Sequence, residues 1–597
     1  MKKLISLVLC IMVVASFVLP VSALVSVKIK GVKLEKTSIT LTVGDTSQLN
    51  VTLTPINTTQ KHLTFNTSDK NVVSVDAQGT IKAIKAGKAV ITITSVSNKA
   101  LTVKCTVTVK KKEPVTLTVE VFDRGNVGGT PADNNYWTKW IQKQFGDPNN
   151  IKLKFVTAPR FDEVSKLNIW MASNQAPDLS ITYDINTVYS YYKNGGLTDI
   201  TDAMNTYAPE LKKFLGKDVL DRGKYYGKQY SVPAKRIIEA KTAAWIRQDW
   251  LDALGLPTPT TTNEFYYVMR EFKAKNPGNV KKVIPFAVTR DIAWVASTLL
   301  ESFKTDKSEE SRYLCKDVFM QLLAPGYKEG MKFLNKMYNE GLMSTEFALD
   351  KDGKLLEADM ANGSVGSYIQ NYDMPLRPGA GYIPTLKGKI PGFNFVPADP
   401  FKDKDGLTTK SLYDPAGLRI IVPKTSEKKV KEAMQYLNWM ANKDVIFFLQ
   451  YGEEGVGHII KNGMPIYQAV KTGEKQFNST NNIDYTTIIN GIDVGNKEKN
   501  IKINSLAYGG MEDLYIAAYK AGTANGYVEP ALSIPCDAEA KYANSLREKG
   551  YEVYANVVAC KPADFEKTWS RMLDEFLNAG GMEVLNQRRA AWRADKK

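Results

Sequence analysis

A change of hydrophobic period at one charged run limits this chain more than any other feature. Residues 26 to 110 alternate apolar and polar side chains in SITLTV, QLNVTLTP, AVITITSV and LTVKCTVTV, with breaks at Gly44-Asp45, Asn57, Gly79 and Gly87. That is the period of two expected for strands of a small sandwich. Lys110-Lys111-Lys112-Glu113-Pro114 ends the pattern, and clustered charge before proline reads as a linker. Beyond it, short β segments (TLTVEVF, IKLKFV, DLSITYD, KKVIPFAV, LRIIVP) alternate with longer helical ones such as DNNYWTKWIQKQFG, FDEVSKLNIWMASN and TNEFYYVMREFKAKNP. A single fold cannot hold both textures, so an all-β module is expected before an α/β body. The 597 residues are also more than one ordinary core organises.

The first 23 residues have a positive start at Lys2-Lys3, an apolar stretch from Leu4 to Leu19, and small residues at Val21-Ser22-Ala23. This is the pattern of a signal peptide cleaved after Ala23. The expected boundaries are therefore 1–23 for the leader, 24–110 for the sandwich, 111–114 for the linker and 115–597 for the body. The chain is expected to be exported to the bacterial cell envelope or beyond. No lipid anchor is expected, because Cys10 follows Leu7-Val8-Leu9 inside the apolar stretch rather than a small residue. Four cysteines remain after cleavage. Cys536 and Cys560 flank one long predicted helix, which would hold them roughly 35 Å apart at 1.5 Å per residue. A disulfide tolerates only ~7 Å between Cα atoms, so no bridge is expected there. Cys105 reads as a core thiol.

Charge is distributed unevenly. The formal balance of the chain is +16, yet residues 24 to 113 hold 14 lysines, no arginine and five acids. The body is nearly balanced, which argues against nucleic acid as its partner. The basic module, by contrast, suits a diffuse anionic partner such as a cell-wall polymer.

The search for chemistry returns exclusions. Two histidines, His62 and His458, leave almost no room for histidine-based metal sites or catalytic triads. G-x-x-x-x-G-K-[ST] and G-x-S-x-G are missing, and Gly379-Ala380-Gly381 lacks the third glycine of a dinucleotide fingerprint. Asp403-Lys404-Asp405-Gly406 has its glycine too early for a calcium loop. No catalytic residue, metal or cofactor is expected.

Two resemblances give these segments a reading. VKLEKTSITLTVGDTSQLNVTLTP, with the VSVD, G-T-I-K-A and A-G-K-A positions that follow, resembles the bacterial immunoglobulin-like domain of group 2, with Phe65 where that family usually has tryptophan. AAWIRQDWLDALGLPTPTTTNEFYYVMREFKAKNP, together with PDLSITYD, GGLTDITD, YYGKQYSVPAKR, KFLNKMYNEGLMSTEF, GSVGSYIQNYD and LQYGEEGVGH, resembles family 1 of the extracellular solute-binding proteins. The resemblance is to its oligosaccharide-binding branch, which serves carbohydrate ABC importers. The resemblance implies a two-lobed periplasmic-binding-protein-like α/β fold with a hinge, an oligosaccharide in the interlobe cleft, and the transmembrane subunits of an ABC permease as partner.

Sugars present apolar faces ringed by hydroxyls, so a binder needs aromatic plates beside charged or amide groups. The candidates in loops after strands are Arg124, Tyr183, Asp184, Arg236, Trp294, Tyr372, Asp373 and Tyr413. If the ligand is a uronate, Arg124 is the expected partner of its carboxylate. Relatives that bind alginate carry a calcium loop where this chain reads NPGNVKKVIPF, which has no carboxylate. Two other readings stay open: a secreted polysaccharide-degrading enzyme, and a cell-surface adhesin or sensor.

Overall fold

The computed structural model describes residues 26–124, 131–316, 319–377, 381–468 and 483–596. The expected leader therefore lies outside the described residues. The chain divides into two compact units, Met1–Val115 and Thr116–Lys597.

In the first unit the alternating segments become strands. One sheet has the order Ser38–Thr42, Thr102–Lys110, Gly87–Ser95, Leu63–Thr67; a second joins Thr46–Gln48, Thr80–Ala83 and Val73–Val75. Gly87–Ser95 buries every second residue, and Ile91 and Ile93 meet Cys105 and Val107 in the core. Gly79 is required by geometry, since it has φ of +83° and a Cβ there would stand 2.8 Å from the Phe65 ring. The smaller phenyl ring thus packs directly on bare backbone.

The second unit contains two four-stranded sheets. The first has the order Ser180–Thr182, Ala416–Ile421, Ser231–Arg236, Ile489–Asn490. Val115–Asp123, paired with Ile151–Pro159, extends it through a parallel bridge between Val119 and Leu179. The second sheet has the order Ile284–Ala287, Val365–Asn371, Thr242–Arg247, Phe395–Ala398. Both sheets are buried on two faces, as the nearly continuous apolar strands require. Each sheet draws on separated stretches of chain, so the backbone must cross between the two lobes three times.

The crossings are residues 237–241, 399–415 and 491–496, and they lie side by side. Arg236 N donates to Pro415 O at 2.7 Å, Tyr413 N to Glu239 O at 2.9 Å, and Ile237 N to Asn490 O at 3.0 Å. A bundle of crossing segments bonded to one another between two lobes is the construction of a hinge. The C-terminal helices pack on the second lobe. The longest, Asp537–Ala559, places Cys536 and Cys560 at opposite ends, and all four described cysteines are free thiols. Among the described residues no helix is long and apolar enough to cross a membrane.

Candidate functional site between the lobes

Strand ends aim side chains at the space between the two sheets. Val115–Asp123 delivers Arg124, whose Nε and Nη2 both donate to the Asp484 carboxylate, at 2.6 and 2.7 Å. These bonds raise the arginine above its ordinary pKa, while burial pushes the Asp484 carboxyl up from its own. Arg124 was expected to offer this planar fork to a ligand. Instead the fork is occupied by Asp484, 360 residues away in sequence.

Ser180–Thr182 ends at Tyr183, the best-supported wall of the site. Its ring stacks on Phe122 at 6.0 Å, Arg160 lies 4.3 Å above it, and Asn490 donates to its hydroxyl at 3.0 Å. Two acids hold the strand from below. Ile181 N donates to Glu120 at 2.9 Å and Tyr183 N donates to Glu163 at 3.0 Å. The second oxygen of each carboxyl is buried without a protein partner. Burial, with a smaller contribution from Glu163, pushes Glu120 up to about 8. A neutral carboxyl in an apolar layer is therefore the resting form at neutral pH. The neighbouring Asp184 caps Ile185–Lys193 by accepting from Asn186 N at 2.8 Å and Thr187 N at 3.4 Å. Its charge serves the helix, and it lines neither cavity described below.

On the second lobe, Val365–Asn371 leads into Tyr372 and Asp373. Expected as a ring facing ligand, Tyr372 is only 5% exposed and belongs to the core. It packs edge-on against Tyr515 and Tyr519 at 5.4 and 5.6 Å and shares a 2.7 Å hydrogen bond with the Tyr515 hydroxyl. Asp373 does face the gap. It accepts from Arg377 at 2.9 and 2.8 Å and from the Tyr508 hydroxyl at 2.6 Å. Trp294 stands on the short helix Ile292–Val295, where its Nε1 donates to Gln370 at 2.6 Å and Lys241 approaches its ring at 5.4 Å. Half-buried beside the first crossing, it lines neither of the two cavities.

These residues enclose two adjoining cavities. The larger, about 680 Å³, is lined from one lobe by Arg124, Tyr183 and Asp484 and from the other by Asp373, Arg377 and Asn504. The smaller, about 450 Å³, shares Tyr183 and adds Arg222, Arg236, Asp414 and Arg419 from the first lobe, facing Tyr313 and Phe319 of the second. Arg236 lies 4.6 Å over the Tyr413 ring, and that tyrosine lines neither cavity. Of the sequence candidates, Arg124, Tyr183 and Asp373 meet in the larger cavity and Arg236 faces the smaller.

Sequence reasoning missed Arg222, Arg377, Arg419, Asp484 and Asn490. Only Arg419 left a mark, as the single charge inside the apolar strand LRIIVP. Among the described residues no group of three or more His, Cys, Asp or Glu could hold a metal ion.

Residues 140–446 match the sequence profile of a family described as bacterial extracellular solute-binding protein. This chain belongs to that family. Residues 28–107 match the bacterial Ig-like domain of group 2. Among curated relatives, the polygalacturonan/rhamnogalacturonan-binding protein YtcQ of Bacillus subtilis is 26% identical over 328 residues, 53% of this chain and 62% of its own length. Lipoprotein LipO of the same bacterium is 24% identical over 351 residues, 56% of this chain and 66% of its own. The matches thus span less than two thirds of either relative. Among solved structures, alginate-binding protein AlgQ2 superposes with a TM-score of 0.56 at 20% identity, over 81% of this chain and 98% of its own. Streptococcus pneumoniae FusA in complex with kestose gives 0.55 at 15% identity, over 81% and 99%. At such identities the likeness establishes the two-lobed fold of the body.

Proposed function

We propose that this solute-binding protein captures an oligosaccharide between its lobes and presents it to the transmembrane subunits of an ABC importer. One observation carries the reading: the 680 Å³ cavity takes its polar groups from both lobes, and the backbone passes between the lobes in three crossing segments. A ligand spanning Tyr183 on one side and Asp373 on the other completes its contacts only when the lobes are together, so binding favours closure. The cavity suits a sugar, with a supported tyrosine ring for a C–H face and ionised pairs and amides for hydroxyls. YtcQ, a polygalacturonan/rhamnogalacturonan-binding protein, and FusA, a fructooligosaccharide ABC transporter substrate-binding protein, agree with this ligand class.

The protein acts as an exported binder and performs no covalent step. The carboxylates facing the larger cavity, Asp373 and Asp484, are each held by two bonds from an arginine. They are resting charge pairs rather than an acid and a base free to flank one glycosidic bond. Calorimetric titration of the full chain with a panel of neutral and acidic oligosaccharides, followed by chromatography of the sugars, tests both parts. Saturable binding with every sugar recovered intact is expected. Shortened sugars would overturn the binder reading in favour of an enzyme.

The Ig-like unit has a separate task in this reading, that of holding the protein near an anionic envelope. All fourteen of its lysines are exposed, and lysine suits diffuse attraction better than bidentate recognition. Such attraction is screened within ~8 Å at physiological salt and ~3 Å at 1 M. Retention on isolated cell walls should fall steeply with salt, and indifference to salt would remove the tether.

A further inference from the structure

Three arginines converge on the smaller cavity, and each has a buried Nε with no protein acceptor. Arg222 caps the helix Pro209–Asp221, Arg236 ends its strand, and Arg419 sits in the middle of Ala416–Ile421. Arg419 is only 5% exposed. Its Nη1 donates to Gly417 O at 2.6 Å, and among the described residues it forms no salt bridge. Arg222 reaches Asp414 at 2.6 Å, while Arg236 has the Tyr413 ring beneath it and no described carboxylate beside it.

Other charges around the cavity do not cancel these. The described lining holds seven cationic side chains and three carboxylates. Of the carboxylates, Asp414 already holds Arg222, and Glu539 is engaged by Arg588 at 2.6 Å and Lys316 at 3.7 Å. Lys224 is tied to Asp221 at 2.7 Å. Glu529 also lines the cavity and Asp414 acts on Arg419 from a distance, yet neither Arg236 nor Arg419 forms a salt bridge among the described residues. A guanidinium removed from water without an anion costs several kcal/mol, which a protein tolerates where a ligand supplies the missing charge.

We propose that the captured oligosaccharide is a uronate and that one of its carboxylates seats between Arg236 and Arg419, against the Tyr183 wall. This inference rests on the oligosaccharide-binding reading and names the substrate class within it. A planar carboxylate can accept two parallel N–H bonds from a guanidinium, which no hydroxyl does as well. The larger cavity, with its arginines already paired, then takes the less charged part of the chain.

The test is calorimetry of the full chain with trimers of galacturonate, mannuronate and glucuronate, with their uncharged methyl esters, and with neutral and sulfated neutral trimers. At least one uronate should bind ten or more times tighter than its ester, and Arg236→Gln and Arg419→Met should each erase most of that ratio. Arg236 is half-exposed, so Arg236→Gln carries the test if Arg419→Met does not fold. Equal affinity for acid and ester, a ratio unchanged in Arg236→Gln, or binding of sulfated trimers in place of uronates would overturn the proposal. Neutral trimers binding while uronates do not would overturn it and leave the importer reading standing. Failure of every sugar to bind would overturn both.

Discussion

The two cavities share the Tyr183 ring and differ in how their arginines are balanced. In the larger one Arg124 and Arg377 are each matched by a carboxylate through two bonds, whereas in the smaller one Arg236 and Arg419 form no salt bridge among the described residues. The same residue type therefore does two jobs within one cleft. A paired arginine is rigid and nearly neutral, fit to position hydroxyl groups. An unpaired one is a standing demand for an anion. The difference means that counting arginines in a cleft says little about ligand charge until their partners are known.

The comparison can be broken most forcefully at Asp484. Asp484→Ala leaves Arg124 unpaired and part-buried, so the larger cavity should come to resemble the smaller. A stability loss of about 3 kcal/mol is expected, read as a lowered denaturant midpoint, together with a gain in relative affinity for acidic sugars. Unchanged stability would mean the pair contributes nothing.

The shared wall gives the next effect, because Glu120 lies under it. Its folded-state value of about 8 stands above the ordinary 4.5, so the folded protein keeps a proton that the unfolded chain releases. This group's stabilising contribution is complete below pH 4.5 and is lost as pH rises through about 8. Glu120→Gln has no proton to lose. It should be near neutral at pH 5 and more stable than the parent by ~2 kcal/mol or more at pH 9. Chemical denaturation at the two values checks this, and an equal difference at both would contradict the neutral-carboxyl assignment.

Tyr183→Ala should weaken ligands of either cavity, by ~1.5 kcal/mol or roughly tenfold, since a stacked ring is lost from both. An effect confined to neutral or to acidic sugars would show that the two cavities do not share a wall. The smallest effect is expected at Tyr372→Phe. It removes the hydroxyl bond to Tyr515, should cost about 1 kcal/mol of stability, and should leave affinity unchanged. A loss of affinity there would return Tyr372 to the binding surface.

The pattern of these residues shows what could be read in advance. Strand ends were legible because alternation and turn residues mark where a strand stops, which is why Arg124, Tyr183, Arg236 and Asp373 were found. Side-chain direction was not. Tyr372 and Asp373 are neighbours in the same turn, yet one faces a core of tyrosines and the other the gap. Pairing was invisible too: nothing near Arg124 announces Asp484, and a segment with no periodic pattern supplies it. Arg419 was readable in principle, because a lone arginine within LRIIVP must either pair or wait for an anion. The Ig-like unit was the easier region, its alternation being set by local sequence alone, whereas the body's cleft depends on contacts across hundreds of residues.

The central claim is that a sugar is held between lobes that close on it. Small-angle scattering of the full chain, alone and saturated with the tightest-binding oligosaccharide, tests this most directly. The account predicts a smaller radius of gyration with sugar. Superimposable curves at saturating ligand would contradict it.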